Sequence, residues 1–178
     1  MPMLVRNATT FDSEAMRNVY RSAFDASESD ITAELAISLL SESADEEIIS
    51  LLAQRDDQVL GHVCFSPVHA LEHSNWLGYL LAPLAVMATA QHAGIGSQLV
   101  RAGLAKLAER EVNMVLVYGD PDYYARFGFT ALDAANCLPP YLLQYPMAWQ
   151  AIVLREHSAH SAGLQIRCVP ALMEPELW

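Results

Sequence analysis

Cysteine, lysine and charge are all scarce in this 178-residue chain, and each scarcity removes a class of chemistry. Cys64, Cys137 and Cys168 make an odd trio without C-x-x-C spacing, which provides neither a disulfide framework nor a cysteine metal site, and a reducing cytoplasm is the expected compartment. Lys106 is the only lysine. Ten basic residues stand against twenty-one acidic ones, a net charge of −11. That balance argues against a sequence-independent grip on phosphate backbones or anionic membranes, so neither nucleic acid nor a membrane is expected as a partner. No run of about eighteen apolar residues occurs, and Met1 to Arg6 lacks a charged stretch followed by a long apolar one. The expectation is a chain neither exported nor membrane-spanning.

What is plentiful is apolar side chain. With 53% hydrophobic and 17% charged residues, the chain can bury a sizeable core, and its length suits one domain. Charge is uneven: residues 1–57 hold twelve carboxylates and four arginines. This acidic end is either a solvated surface or a field that gathers cationic substrates.

Leu4 to Ala8 reads as a strand, and Thr10 or Asp12 can cap a helix whose apolar positions Ala15, Met16, Val19, Tyr20, Ala23 and Phe24 recur at helical spacing. A second amphipathic stretch starts near Ser29 or Asp30, with Ile31, Leu35, Leu39 and Leu40 on one side, and is expected to pair with the first. Ile48 to Gln54 and Val59 to Val68 flank Asp56-Asp57-Gln58 as a hairpin would, and Leu77 to Val86 is a further apolar run broken by Pro83. A helix is predicted over Gly94 to Arg110 and a buried strand over Val112 to Tyr118. A short helix follows over Asp120 to Phe127, opened by Asp and Pro, then a strand over Phe129 to Leu132. Cys137 to Pro146 is expected as an ordered loop, Trp149 to Leu154 and Leu164 to Val169 as strands, and residues 170–178 carry no assignment.

The informative stretch runs from Leu84 to Ser97, a strand passing through Gln91-His92-Ala93-Gly94-Ile95-Gly96 into an amphipathic helix. Gly94 and Gly96 let the backbone approach a bulky anion, while the first-turn amides and helix dipole supply donors. A pyrophosphate can sit there without lysines, because these fixed dipoles are local whereas net charge is spread over the surface. A dinucleotide fingerprint needs a glycine where Leu99 stands, and a P-loop needs Gly-Lys-Ser or Gly-Lys-Thr. Both readings fail.

The Gln-x-x-Gly-x-Gly segment resembles the signature of the GNAT superfamily of acyl-CoA-dependent N-acyltransferases. Tyr118-Gly119-Asp120-Pro121-Asp122-Tyr123-Tyr124-Ala125-Arg126-Phe127-Gly128-Phe129 resembles that family's second element, and its wording is similar to a bacterial subgroup called YhbS-like. Ala88 departs from the pattern, since many members carry a proline there, and so do His92 and Ala93, where small or basic residues are usual. The resemblance implies an α/β fold with a mixed, mostly antiparallel central sheet flanked by helices, in the order β-α-α-β-β-β-α-β-α-β. It also implies one acyltransferase domain over residues 1–178, with its core over 3–155 and an extension over 156–178.

The implied reaction moves an acetyl or similar acyl group from acyl-CoA, as co-substrate and without metal, directly to a primary amine on a small molecule or protein. The implied cofactor contacts are Leu84, Ala85, Val86, Gln91, His92, Ala93, Gly94, Ile95, Gly96, Ser97, Tyr123 and Phe127. The Val86 amide, or one beside it, is the implied oxyanion donor; of the adjacent tyrosines either can point inward, and Tyr124 is taken as the acid that protonates the departing thiolate, with Tyr123 assigned to packing. A core aromatic is the competing reading of Tyr124, and Phe127 and Phe129 read as core. No carboxylate lies between Tyr79 and Gln91 to serve as base, so Glu72, His69 and His73 remain candidates, and a strand would separate the two histidines too far for zinc. His62 and Cys64 read as packing residues. Apolar Leu172, Leu177 and Trp178 can serve a homodimer or a satellite core. A non-catalytic acyl-CoA-binding or sensing module of the same fold is the alternative.

Overall fold

A computed structural model describes every residue except Met1, Ser43 and Ala162. The chain divides into two compact units, Met1–Phe65 with Ala82–Ala105, and Ser66–Leu81 with Lys106–Trp178. The fold is mixed α/β, a mostly antiparallel multi-strand sheet flanked by helices.

In the first unit β1 (Leu4–Asn7) pairs antiparallel with β2 (Ile49–Arg55), and β2 with the start of β3 (Gln58–Ala70). Asp56 and Asp57 form the two-residue turn with φ of 49° and 64°. Both central residues are left-handed, the geometry that matches the twist of the strands it joins. The end of β4 (His73–Val86) follows β3 in strand order. β4 runs through Pro83 without a break, contrary to the sequence expectation.

Asp12 precedes α1 (Ser13–Ala23), but its carboxylate does not cap the helix. It takes two bonds from the Arg6 guanidinium, at 2.6 and 2.9 Å, and one from the Thr9 amide at 2.8 Å, tying β1 to the start of α1. The Arg6 guanidinium holds the Asp12 carboxyl down to about 2. Helix α2 (Ala26–Ser38) packs on α1 as expected, bridged by Arg17–Glu34 and Arg21–Asp30 pairs. Of the face expected inward, Leu39 is buried and Leu35 and Leu40 are half-buried, but Ile31 is not. Ser29, Ala33 and Ala36 face inward, whereas Ile31 is 62% exposed. Small side chains let α2 come close to Met16, Val19 and Tyr20 of α1, and closeness outweighs the larger area Ile31 would bury.

Helix α3 (Ile95–Ala108) lies against β3 at Gly103, where a β-carbon would run into the Phe65 ring. Phe65 is fully buried and cannot swing away. Gly103→Ala is therefore expected to cost about 2 kcal/mol net of the helix propensity it gains. Thermal unfolding should show a midpoint lowered by roughly 4–8 °C; an unchanged midpoint would refute this packing.

In the second unit β4 pairs in parallel with β5 (Met114–Tyr118), from Gly78 opposite Met114 to Leu81 opposite Val117. β5 pairs antiparallel with β7 (Trp149–Val153). β8 (Leu164–Arg167) joins the end of β3 and also meets β6 (Cys137–Leu138), which lies inside the stretch expected as a loop. Helix α4 (Pro121–Tyr124) leads into a 3-10 turn over Ala125–Phe127, as the sequence predicts. The strand expected over Phe129 to Leu132 is reduced to a single bridge, Thr130 opposite Ala151, and the chain turns into α5 (Ala131–Ala134). Thr130 explains the switch: its hydroxyl accepts the Asp133 amide at 3.0 Å and caps α5. The unassigned tail holds 3-10 turns at Pro170–Leu172 and Pro175–Leu177.

Candidate functional site

The strand-to-helix connection begins where β4 ends. The Met87 amide donates to Leu60 O at 2.8 Å, so Met87 faces β3. Main-chain groups of successive residues in an extended strand point to opposite edges. Ala85 therefore shares the β3 side with Met87, and its carbonyl lies against Gly61. Leu84 and Val86 turn their amides to the other edge, and within this unit β4 is the outermost strand in the order of described residues. The Val86 carbonyl on that edge accepts Gln91 Nε2 at 3.1 Å, which straps the loop back to the strand. The Ala88 amide is fixed by Ser22 Oγ at 3.0 Å.

A 3-10 turn over Ala88–Ala90 carries the chain to Gln91, His92, Ala93 and Gly94, all exposed. His92 and Gly94 take φ of 62° and 79°. The left-handed conformation costs a residue with a side chain about 1 kcal/mol, and His92 adopts it in the turn that leads into α3. At Gly94 a β-carbon would meet nothing within 4 Å, so glycine answers the dihedral and not a lack of space. The Gln98 amide donates to Gly94 O at 3.0 Å, the first rung of α3. The amides of Ile95, Gly96 and Ser97 precede that rung and sit at the positive end of the helix dipole. Buried Ile95 and Leu99 seat this helix start on Gly61, where a β-carbon would lie 3.1 to 3.2 Å from their side chains. Main-chain donors in this arrangement can accept an anion.

Tyr123, Tyr124 and Phe127 lie in the second unit. Asp120 caps α4 by accepting the Asp122 amide at 2.9 Å, and Pro121 opens the helix. Tyr124 is turned inward and 9% exposed. Its ring covers Gly119, where a β-carbon would sit 2.6 Å from Tyr124 Cε2, and it meets Phe129 edge-on at 5.7 Å. Burial pushes the Tyr124 phenol well above its ordinary value, and neighbouring Tyr123 and Asp120 add to the shift, so the hydroxyl keeps its proton at neutral pH. Tyr123 is half-buried beneath the Arg126 guanidinium, 4.6 Å from its ring centre. Phe127 is buried and packs on Tyr123.

His62 lies in the first unit, buried between Tyr20 Oη at 2.6 Å from Nδ1 and Ser50 Oγ at 2.7 Å from Nε2. Burial pushes the Cys64 thiol far up, which leaves it inert. His69 lies near the end of β3, Glu72 is exposed in the following turn, and His73 opens β4. Among the described residues, no helix is long and apolar enough to cross a membrane.

One feature has no counterpart in the sequence expectations: a cleft of about 550 Å³ in the second unit, walled by Tyr118, Tyr145 and Trp178. The apolar tail residues were its only trace in the sequence.

The acetyltransferase (GNAT) family model matches residues 13–129. The uncharacterized N-acetyltransferase YjhQ of Escherichia coli is 34% identical over 161 residues, covering 88% of this chain and 87% of that protein. The uncharacterized N-acetyltransferase YhbS of the same organism is 37% identical over 129 residues, covering 71% and 73%. The crystal structure of Escherichia coli YhbS in complex with CoA superposes with a TM-score of 0.77 at 28% identity, covering 97% of this chain and 92% of that one. A GNAT family acetyltransferase from Brucella melitensis in complex with acetyl-CoA gives 0.72 at 26% identity, covering 96% and 97%.

Proposed function

Because the chain belongs to the acetyltransferase (GNAT) family, we propose that it moves an acetyl or similar short acyl group from acyl-CoA to a primary amine by direct transfer. The observation that carries this reading is the cradle after β4: left-handed His92 and Gly94, followed by three helix-start amides outside the hydrogen-bond ladder. The donor's diphosphate sits on the amides of Ile95, Gly96 and Ser97. Its amide-rich arm pairs with the outward edge of Leu84 and Val86 as an added strand would. The neutral amine attacks the thioester carbonyl carbon, and the Val86 amide stabilises the oxyanion. The carbon–sulfur bond then breaks, the thiolate takes the Tyr124 proton, and the excess proton on the former amine nitrogen passes to water, from which the phenolate is reprotonated.

Titration calorimetry with acetyl-CoA should give saturable heat, and a panel of primary amines should then release free thiol. Absence of heat with acetyl-CoA and with longer acyl-CoA esters would overturn the reading. Heat without thiol release across the panel would favour a binding or sensing module.

A further inference from the structure

We propose that the cleft walled by Tyr118, Tyr145 and Trp178 is a binding site for a primary amine carried on a flat apolar body, such as an arylalkylamine. Its volume of about 550 Å³ falls in the range of small-molecule sites and would be overfilled by a folded partner. The wall is built and held. Trp178 stacks near-parallel to Tyr118 with ring centres 6.5 Å apart, meets Trp149 edge-on at 5.8 Å, and donates Nε1–H to Leu172 O at 2.9 Å. Tyr118 Oη accepts the Tyr145 amide at 3.0 Å, which fixes the opposite rim. Aromatic faces of this extent match an aromatic or broad aliphatic body, and they attract a cation lying over them.

The polar part of the lining points the same way. Asp120 and Glu176 line the cleft together with Gln144, and among the described residues no lysine, arginine or histidine does. An ammonium group is therefore favoured there and a carboxylate opposed. A polyamine would leave the rings uncovered. Gly119, which lines the cleft, is also the residue that the buried Tyr124 ring covers. The proposal rests on the acyltransferase reading for the fate of the amine, although binding itself can be read without turnover.

The test is an NMR or calorimetric titration of the full chain with 2-phenylethylamine, butylamine and 3-phenylpropionate, alongside a separate titration with CoA. The aryl amine should bind at least tenfold more tightly than either of the others. Trp178→Ala should weaken it at least tenfold, and Glu176→Gln about threefold, with the heat of CoA binding unchanged. Tyr145→Ala is a second variant should Trp178→Ala disturb folding, because Tyr145 is 64% exposed. Equal affinity for butylamine and 2-phenylethylamine, or an unaltered affinity in folded wall variants, overturns the proposal while CoA binding persists. Loss of CoA binding with aryl-amine binding retained would instead sink the acyltransferase reading and leave the cleft assigned.

Discussion

Tyr124→Phe is expected to lower turnover with acetyl-CoA and any accepted amine by about 100-fold while leaving CoA affinity within a factor of two. The split follows from what the ring and the hydroxyl each do. The ring covers Gly119 and packs edge-on to Tyr123 and Phe129, and phenylalanine keeps all of this. Only the hydroxyl is lost, and burial pushes the phenol further above its ordinary value. A loss confined to the rate thus identifies proton delivery to the leaving thiolate. Tyr123→Phe is the comparison: half-buried under Arg126, Tyr123 keeps its ring contacts as phenylalanine, and its turnover should fall at least tenfold less than that of Tyr124→Phe. Steady-state rates and calorimetric CoA titrations on both variants decide the matter. A Tyr124→Phe rate within threefold of the parent would remove the phenol from the mechanism.

The contrast between the two tyrosines also shows what the sequence could tell. Asp120-Pro121 announces a helix start, so the short helix was legible from local chemistry, but either adjacent tyrosine can point inward on that evidence, and packing on Gly119 and Phe129 is what turns Tyr124 in. The loop from Gln91 to Gly96 was legible for the same reason, since a left-handed glycine and a helix start are local events. Expectations failed where a distant partner decides. Ile31 is apolar and expected inward, yet Ser29, Ala33 and Ala36 are the buried residues of α2 and Ile31 is 62% exposed. Phe129 to Leu132 has strand composition, but the Thr130 hydroxyl caps a helix turn and ends the pairing with β7 after one bridge. The aromatic cleft could not be foreseen, because Tyr118 and Trp178 are brought together only by the path of the tail.

His62 is the other nonlocal feature, and it sets an expected acid limit on stability. The imidazole is buried, with Tyr20 Oη on one nitrogen and Ser50 Oγ on the other, and with no carboxylate among those partners. Desolvation pushes it down to about 3, whereas in the unfolded chain a histidine titrates near 6.5. Between those values the unfolded chain binds one more proton than the folded protein. The stability from His62 is thus complete above about pH 6.5 and lost as pH falls toward 3, by up to about 1.4 kcal/mol per pH unit. Asp12, held to about 2 by Arg6, adds a loss of the same sign in a lower window, from just below pH 4 toward 2. Urea unfolding of the parent between pH 6 and 4 should follow the steep His62 slope. His62→Gln keeps a donor and an acceptor for Tyr20 and Ser50 but cannot titrate, so it should be less stable at pH 7 by about 1–3 kcal/mol and flatter below pH 6. The other histidines and Asp12 are common to both proteins and cancel in the difference. Parallel slopes for parent and variant would mean that His62 takes up its proton in the folded state, and that the buried Tyr20–His62–Ser50 chain opens to water before the protein unfolds.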